Sequence, residues 1–286
     1  MVQEPVVSAK VRQTFASDPF SLQSKQLQPD YVGSHKKMQG EPSRMSKLLR
    51  RKFPKSYKFY QEIIGETYYE FLRLGLLARR ISKKRLQEFQ VMCKNPIEVM
   101  NNFTGIDLYN KIKPVQIESE ISELFNIVTN LNPKVICEIG TDRGGTLYLW
   151  SKAIRPDGLT ISIDLPRTYR KPLNRFFCSF FSETQGIHFL RENSQSAECQ
   201  MSVQKILNGK KIDFLFIDAD HSYEGVKNDF KLYSDFVRKP GLIAFHDILD
   251  KCGVDKFWSE VKPYYKHMEI VENYNQQCAG IGILFF

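Results

Sequence analysis

The sequence predicts an α/β protein, a doubly wound and mainly parallel sheet preceded by a helical N-terminal extension. Three observations lead there. From about residue 114 onward, short apolar runs alternate with amphipathic helical stretches, the pattern of parallel strands joined by crossover helices. One run, Ile212, Phe214, Leu215, Phe216 and Ile217, is nearly continuous, as in a strand buried on both faces. That run stops abruptly at Asp218, Asp220 and His221. Open sheets carry their chemistry on such polar groups at the carboxyl ends of strands.

The elements follow in order along the 286 residues. Residues 1–43 are polar, with scattered Pro, Gln and Ser and no sustained period; they read as a mobile tail or an arm laid on a partner. Residues 44–113 read as a basic, amphipathic helical extension. Within it, apolar residues at 57, 60, 64, 68, 71 and 72 recur at helical spacing over 57–80, with RRKFPK before and ARRISKKR after. Such a helix packs on the main domain or on a second copy in a homodimer. Its basic, aromatic character also suits a peripheral membrane surface or an anionic partner, contacted through residues 44–85.

Residues 114–286 form the predicted main domain. A helix is expected over 119–131, with Ile121, Leu124, Phe125 and Val128 on one face. Strands are expected over 134–139, 159–164, 187–191, 212–218, 242–246, 267–271 and 281–286. The last strand has no helix after it, which an antiparallel strand inserted by a hairpin explains.

Net charge is +9, yet residues 44–85 alone hold 13 Lys/Arg against 3 Glu. The rest is near neutral, which argues against nucleic acid as a partner of the main domain. The six cysteines form no C-x-x-C pair, and Cys137 lies inside an apolar run. That pattern suits a reduced, cytoplasmic compartment. There is no long apolar segment near the N-terminus and no run of ~18 apolar residues, so neither a secretory signal nor a membrane span is predicted.

Strand one ends in Glu138-Ile139-Gly140-Thr141-Asp142-Arg143-Gly144-Gly145-Thr146. Glycines there let the backbone turn sharply, and the next helix points its free N–H groups at the turn. A dinucleotide loop has glycine where Asp142 stands, and an aspartate there would repel a pyrophosphate. Asp142 favours a cationic nucleoside ligand over NAD; a plain packing turn is the other reading. Asp164, at the end of strand two, can accept both hydroxyls of a ribose, or initiate a turn. Ser194 and Gln195 after strand three can meet an adenine edge, or cap the next helix.

Taken together, VICEIGTDRGGTLYLW, LTISIDLP, IDFLFIDADHSYEGVKNDF, GLIAFHDI and AGIGILFF resemble a class I S-adenosylmethionine-dependent methyltransferase. The resemblance is to the bacterial cephalosporin-hydroxylase-like group, which includes sugar O-methyltransferases. It runs in order over 114–286 and leaves the first 110 or so residues outside. It implies a Rossmann-like, seven-stranded sheet with the last strand antiparallel. It also implies that Glu138, Gly140, Thr141, Gly144 and Thr146 surround the methionine part of the cofactor. Asp164 would hold the ribose, and Ser194 and Gln195 would lie near the adenine. Glu192-Asn193 departs from the Gly-Asp that often precedes this serine.

Methyl transfer to an alcohol needs the oxygen in line, its proton removed and water kept out. The layout of Asp218 after strand four and His246-Asp247 after strand five is similar to the metal site of the catechol and caffeoyl-CoA O-methyltransferases. By that comparison Asp218, Asp247 and His246 would hold a divalent cation, Mg²⁺ or Mn²⁺. His246 replaces an acid and shifts the set toward metals that accept nitrogen. His221 stands where those enzymes carry a catalytic lysine and is the expected general base. Other readings remain for each: Asp218 or Asp220 as the cap of a helix starting near Tyr223, and His246 as a satisfied strand-end histidine.

Arg167, Arg170, Lys171 and Arg175 follow strand two, in a loop that could hold an anionic acceptor or simply be solvated. The function these features predict is O-methylation of a hydroxyl on a small molecule or glycan. A non-catalytic subunit that binds through the basic arm is the rival from another class. An NAD-dependent oxidoreductase is disfavoured by Asp142. A nucleic-acid methyltransferase is disfavoured because Asp-Ala-Asp-His stands after strand four, where an Asn-Pro-Pro-Tyr-type tetrad would be expected.

Overall fold

A computed structural model describes residues 10–14, 86–87, 90, 95–102, 115–142, 144–166 and 177–286. The helix expected over 57–80, the basic stretch 44–85, all of the polar segment 1–43 except 10–14, and the loop of Arg167, Arg170, Lys171 and Arg175 lie outside them.

The apolar runs become strands because each finds partners on both faces. β2 (Val135–Ile139) and β5 (Ile212–Ile217) are buried at every position. They pair in parallel at the centre of an eight-stranded sheet. β3 (Leu159–Ile163) and β4 (Gly186–Leu190) continue in parallel on the β2 side. On the β5 side comes β6 (Val237–His246), also parallel. β8 (Ile281–Phe285) inserts antiparallel between β6 and β7 (Lys266–Val271). β1 (Lys10–Thr14) pairs antiparallel with the outer edge of β7. The order is β1-β7-β8-β6-β5-β2-β3-β4. The seven predicted strands are all present, and the hairpin strand is antiparallel as expected. The eighth, β1, lies within the stretch read as a tail.

The chain runs from β2 outward to β4, then returns to the other side of β2 to form β5. The crevice above β2 and β5 is therefore the switch point where such sheets bind ligands.

Side-chain alternation divides the core. Phe214 and Phe216 of β5 face α2 (Glu118–Leu131) and α3 (Gly145–Ala153), together with α1 (Pro96–Asn102). Leu215 and Ile217 face α4 (Ala197–Leu207), α5 (Tyr223–Tyr233) and α6 (Val254–Val261). Trp150 of α3 packs edge-on against Phe214 at 5.0 Å and Phe216 at 5.5 Å. Burying a side chain of this size stabilises the fold by roughly 1.5–3 kcal/mol. Among the described residues, no helix is long and apolar enough to cross a membrane.

Candidate active site

Three strand ends build the crevice: β2 with its glycine loop, β5 and β6. Gly140 leaves β2 with φ +95°, and its N–H donates to the carbonyl of Ile163 on β3. A Cβ on Gly140 would lie 1.8 Å from the carbonyl oxygen of Asp218. Glycine is thus required by the approach of β5, and the loop and the Asp218 end of β5 touch through their backbones. Gly144 has φ +79°, and a Cβ on it would enter the ring of Phe177. The Thr141 and Ser162 hydroxyls share a buried hydrogen bond of 2.6 Å. Asp142, in the left-handed region with φ 38°, donates its N–H to Asp164 Oδ2 at 3.0 Å. That bond orients the Asp164 carboxylate above the loop.

Glu138 lies inside the core. Its Oε1 accepts from Thr146 Oγ1 at 2.6 Å and from Trp150 Nε1 at 2.8 Å. Burial pushes its carboxyl up to about 7, against the opposing pull of these hydrogen bonds. Its Oε2 is buried with no partner among the described residues. Glu138 and Thr146, both expected around the methionine part of a cofactor, are thus bound to each other beneath α3.

Ser194 and Gln195 tie the loop after β4 to α5. Ser194 Oγ donates to Asp229 at 2.7 Å, and the Ser194 carbonyl accepts from the Tyr233 hydroxyl at 2.6 Å. Gln195 Nε2 donates to the Gly225 carbonyl at 3.2 Å. Burial raises the Asp229 carboxyl to about 6.

The acid and imidazole cluster gathers as the strand ends predict. His221 Nδ1 lies 2.9 Å from Asp247 Oδ2, and its Nε2 lies 3.6 Å from Asp218 Oδ1. His246 Nδ1 lies 3.3 Å from each of those two carboxylate oxygens. Neither aspartate caps α5: Ser222 does so, accepting from Gly225 N–H at 3.1 Å, while Asp220 accepts from Ser222 N–H. The His221 side chain is 42% exposed, whereas Asp218, His246 and Asp247 are largely covered.

Hydrogen bonds that the imidazole donates to Asp218 and Asp247 raise His221 to about 10. Burial alone would lower His246, but the same two carboxylates outweigh it and hold it at about 10. For Asp218 and Asp247, burial alone would raise the carboxyls, and the two imidazoles reverse that, holding both below the usual carboxylate range.

Asp218, His221 and Asp247 each offer one ligand atom, and these lie within 4.8 Å of one another. Two carboxylates with an imidazole fit a divalent cation, and the nitrogen favours Mn²⁺ or Zn²⁺ over Mg²⁺. His246 Nε2 is buried and has no partner among the described residues. Among the described residues the three groups that could hold a cation thus include His221, and His246 lies against the same two acids.

Two contacts to the cluster escape sequence reasoning. Gln116 Nε2 donates to Asp218 Oδ2 at 2.6 Å, and Ala279 N–H donates to Asp247 Oδ1 at 3.1 Å. Gln116 stands in no motif, and Ala279 opens the AGIGILFF stretch without a side chain that would mark it as a contact to the cluster.

Residues 137–248 match a family model described as a methyltransferase domain. An uncharacterized protein of Acanthamoeba polyphaga mimivirus is 34% identical over 115 residues, covering 40% of this chain and 51% of that protein. The chain thus spans about half the length of the curated relative it matches. Among solved structures, the O-methyltransferase from Bacillus cereus in complex with SAH is similar at 15% identity. That likeness covers 71% of this chain and 91% of that one, with a TM-score of 0.45. The O-methyltransferase TomG from Streptomyces achromogenes, involved in tomaymycin synthesis and in complex with SAM, is similar at 14% identity. It covers 77% and 95% of the two chains, with a TM-score of 0.45. The strand order and the hairpin strand between β6 and β7 give the Rossmann-like fold expected of the sheet, and residues 137–248 within it match a methyltransferase domain.

Proposed function

We propose that this chain is an S-adenosylmethionine-dependent O-methyltransferase acting on a hydroxyl of a small molecule or glycan. One observation carries the reading. The glycine loop of β2 and the acid–imidazole cluster of β5 and β6 meet at Gly140 and Asp218, so a cofactor on the loop and an acceptor at the cluster would share one crevice.

Bound on the loop, S-adenosylmethionine supplies the methyl group. Asp164, oriented by the Asp142 N–H, would hold the ribose hydroxyls. A divalent cation held by Asp218 and Asp247 would supply Lewis acidity that lowers the pKa of the acceptor hydroxyl. His221 is the most exposed member of the cluster and would accept the acceptor's proton. It can do so only as a neutral imidazole. Asp218 and Asp247 hold a proton on it to about 10 while their charge is otherwise unbalanced. Its role as base therefore requires other positive charge on the two carboxylates.

Calorimetric titration with S-adenosylhomocysteine, with and without Mn²⁺ or Mg²⁺, tests the reading. Micromolar binding, roughly −8 kcal/mol, that weakens at least tenfold in Asp164→Ala is expected. Absence of binding under every metal condition would sink the methyltransferase activity and leave a fold used for binding alone.

A further inference from the structure

Asp218 and Asp247 present one oxygen each to the histidines and have the other tied back. Asp218 Oδ1 and Asp247 Oδ2 face His221 and His246. Asp218 Oδ2 is held by Gln116, and Asp247 Oδ1 by the Ala279 N–H. Two like charges this close repel, so their approach must be held by the groups around them, the two imidazoles on one side and these ties on the other.

Both ties lead to the first turn of α2. Gln116 stands immediately before Ile117, the N-cap of that helix. It is buried, and its amide nitrogen must face the carboxylate, which only a donor satisfies. Glu120, in the same turn, is fully buried. Its Oε1 accepts from the Glu272 N–H at 3.0 Å and from Gln276 Nε2 at 2.7 Å, and its Oε2 accepts from the Gly280 N–H at 2.9 Å. Ser119 adds a bond to Glu272 at 2.9 Å. The loop between β7 and β8 is therefore fastened to α2 at both of its ends.

The fastening reaches the cluster through consecutive residues. Ala279 and Gly280 have φ 63° and 81°. Consecutive N–H groups in such a turn form a concavity for anions. Here the two N–H groups serve two carboxylates, Asp247 and Glu120. Asp247 is itself at φ 63°, and the Ile248 and Leu249 N–H groups bond to the Gly280 and Ala279 carbonyls. A non-glycine residue in that region persists only where its surroundings impose it. A buried carboxylate is a costly way to hold a loop unless the loop's position matters.

We infer that the first turn of α2 is the positioning element of the acid cluster, Gln116 holding Asp218 directly and Glu120 holding Asp247 through Ala279 and Gly280. The inference rests on the reading of this cluster as the reactive site.

The test uses the full chain carrying ¹³Cε1-labelled histidine, in wild type, Gln116→Leu, Glu120→Gln and the control Ser122→Ala. Among the described residues, the Ser122 hydroxyl bonds to the Glu118 carbonyl of its own helix. Imidazole resonances, Mn²⁺ affinity by electron paramagnetic resonance, thermal midpoint and S-adenosylhomocysteine affinity are read on each. Gln116→Leu and Glu120→Gln should shift the His221 and His246 resonances and weaken Mn²⁺ binding ~10–100-fold, the range for residues behind metal ligands. The control should do neither. Should Glu120→Gln fail to fold, Gln276→Ala removes one of Glu120's donors and carries the same measurement. Resonances of folded variants that superimpose on wild type would overturn the inference. A wild type that ignores Mn²⁺ would strike the metal reading alone, since the imidazole resonances still report the brace.

Discussion

The Gly140 Cα and the Asp218 carbonyl oxygen are in contact so close that no side chain fits between them. Gly140→Ala must therefore push β2 and β5 apart at their carboxyl ends as well as hold a left-handed φ. A cost of about 2–4 kcal/mol is expected. Urea unfolding measures it, and a cost below about 1 kcal/mol would show that the two strand ends separate freely.

Glu138 couples stability to pH. Burial raises its carboxyl from 4.5 to about 7 on folding. The unfolded chain then ionises first as pH rises. Stability present below 4.5 is lost progressively and is fully lost once pH passes about 7. Glu138→Gln removes this titration while keeping an oxygen for Thr146 and Trp150. Wild-type stability relative to the variant should fall by about 2–3 kcal/mol between roughly pH 5 and pH 8. Urea midpoints at each pH check it; a difference that does not move with pH contradicts it.

Ser194 faces inward to Asp229, so its hydroxyl matters to the fold before it matters to any ligand. Ser194→Ala should cost about 1–3 kcal/mol by leaving a buried acceptor short of a donor. Affinity for S-adenosylhomocysteine should stay within roughly threefold, about 0.7 kcal/mol. A large loss of affinity at unchanged stability would instead give the hydroxyl to the cofactor.

His221→Ala should lower turnover by ~10²–10⁴ with cofactor affinity preserved. Single-turnover kinetics with an acceptor found by screening sugars first would measure it. Unchanged turnover would remove His221 from the chemistry.

Chelation should lower turnover at least ~10-fold, and Mn²⁺ should restore it better than Mg²⁺, because the cluster brings imidazole beside carboxylate. Full activity after exhaustive chelation would leave the cluster as a proton-transfer site alone.

The sheet was largely legible because its central strands are buried on both faces, and continuous apolar runs declare themselves without tertiary information. β6 was read from residue 242, yet it begins at Val237. Arg238, Lys239 and Pro240 look like a turn in sequence, and the irregular pairing after Ile212 is where the ladder accommodates them. β1 was not legible: five mixed residues become a strand only because β7 offers an edge.

In the site, Asp218, His221, His246 and Asp247 were legible from their position at strand ends. Gln116 and Glu120 were not. Glu120 sits in an amphipathic helix and reads as part of its wet face. Its partners lie more than 150 residues away, at Glu272, Gln276 and Gly280. Only the folded arrangement reveals that it is buried. The glycine loop was legible as a sharp turn, and Gly140 additionally makes room for a neighbouring strand.

The pairing of β1 with β7 bears on how the protein can be shortened. Removing residues 1–14 would strip β7 of its outer partner and leave a row of backbone donors and acceptors facing water beside Met268 and Ile270. Bare edges of that kind recruit other strands. A chain without β1 should then fail by aggregation, with its core intact, and β1 would act as its solubility guard.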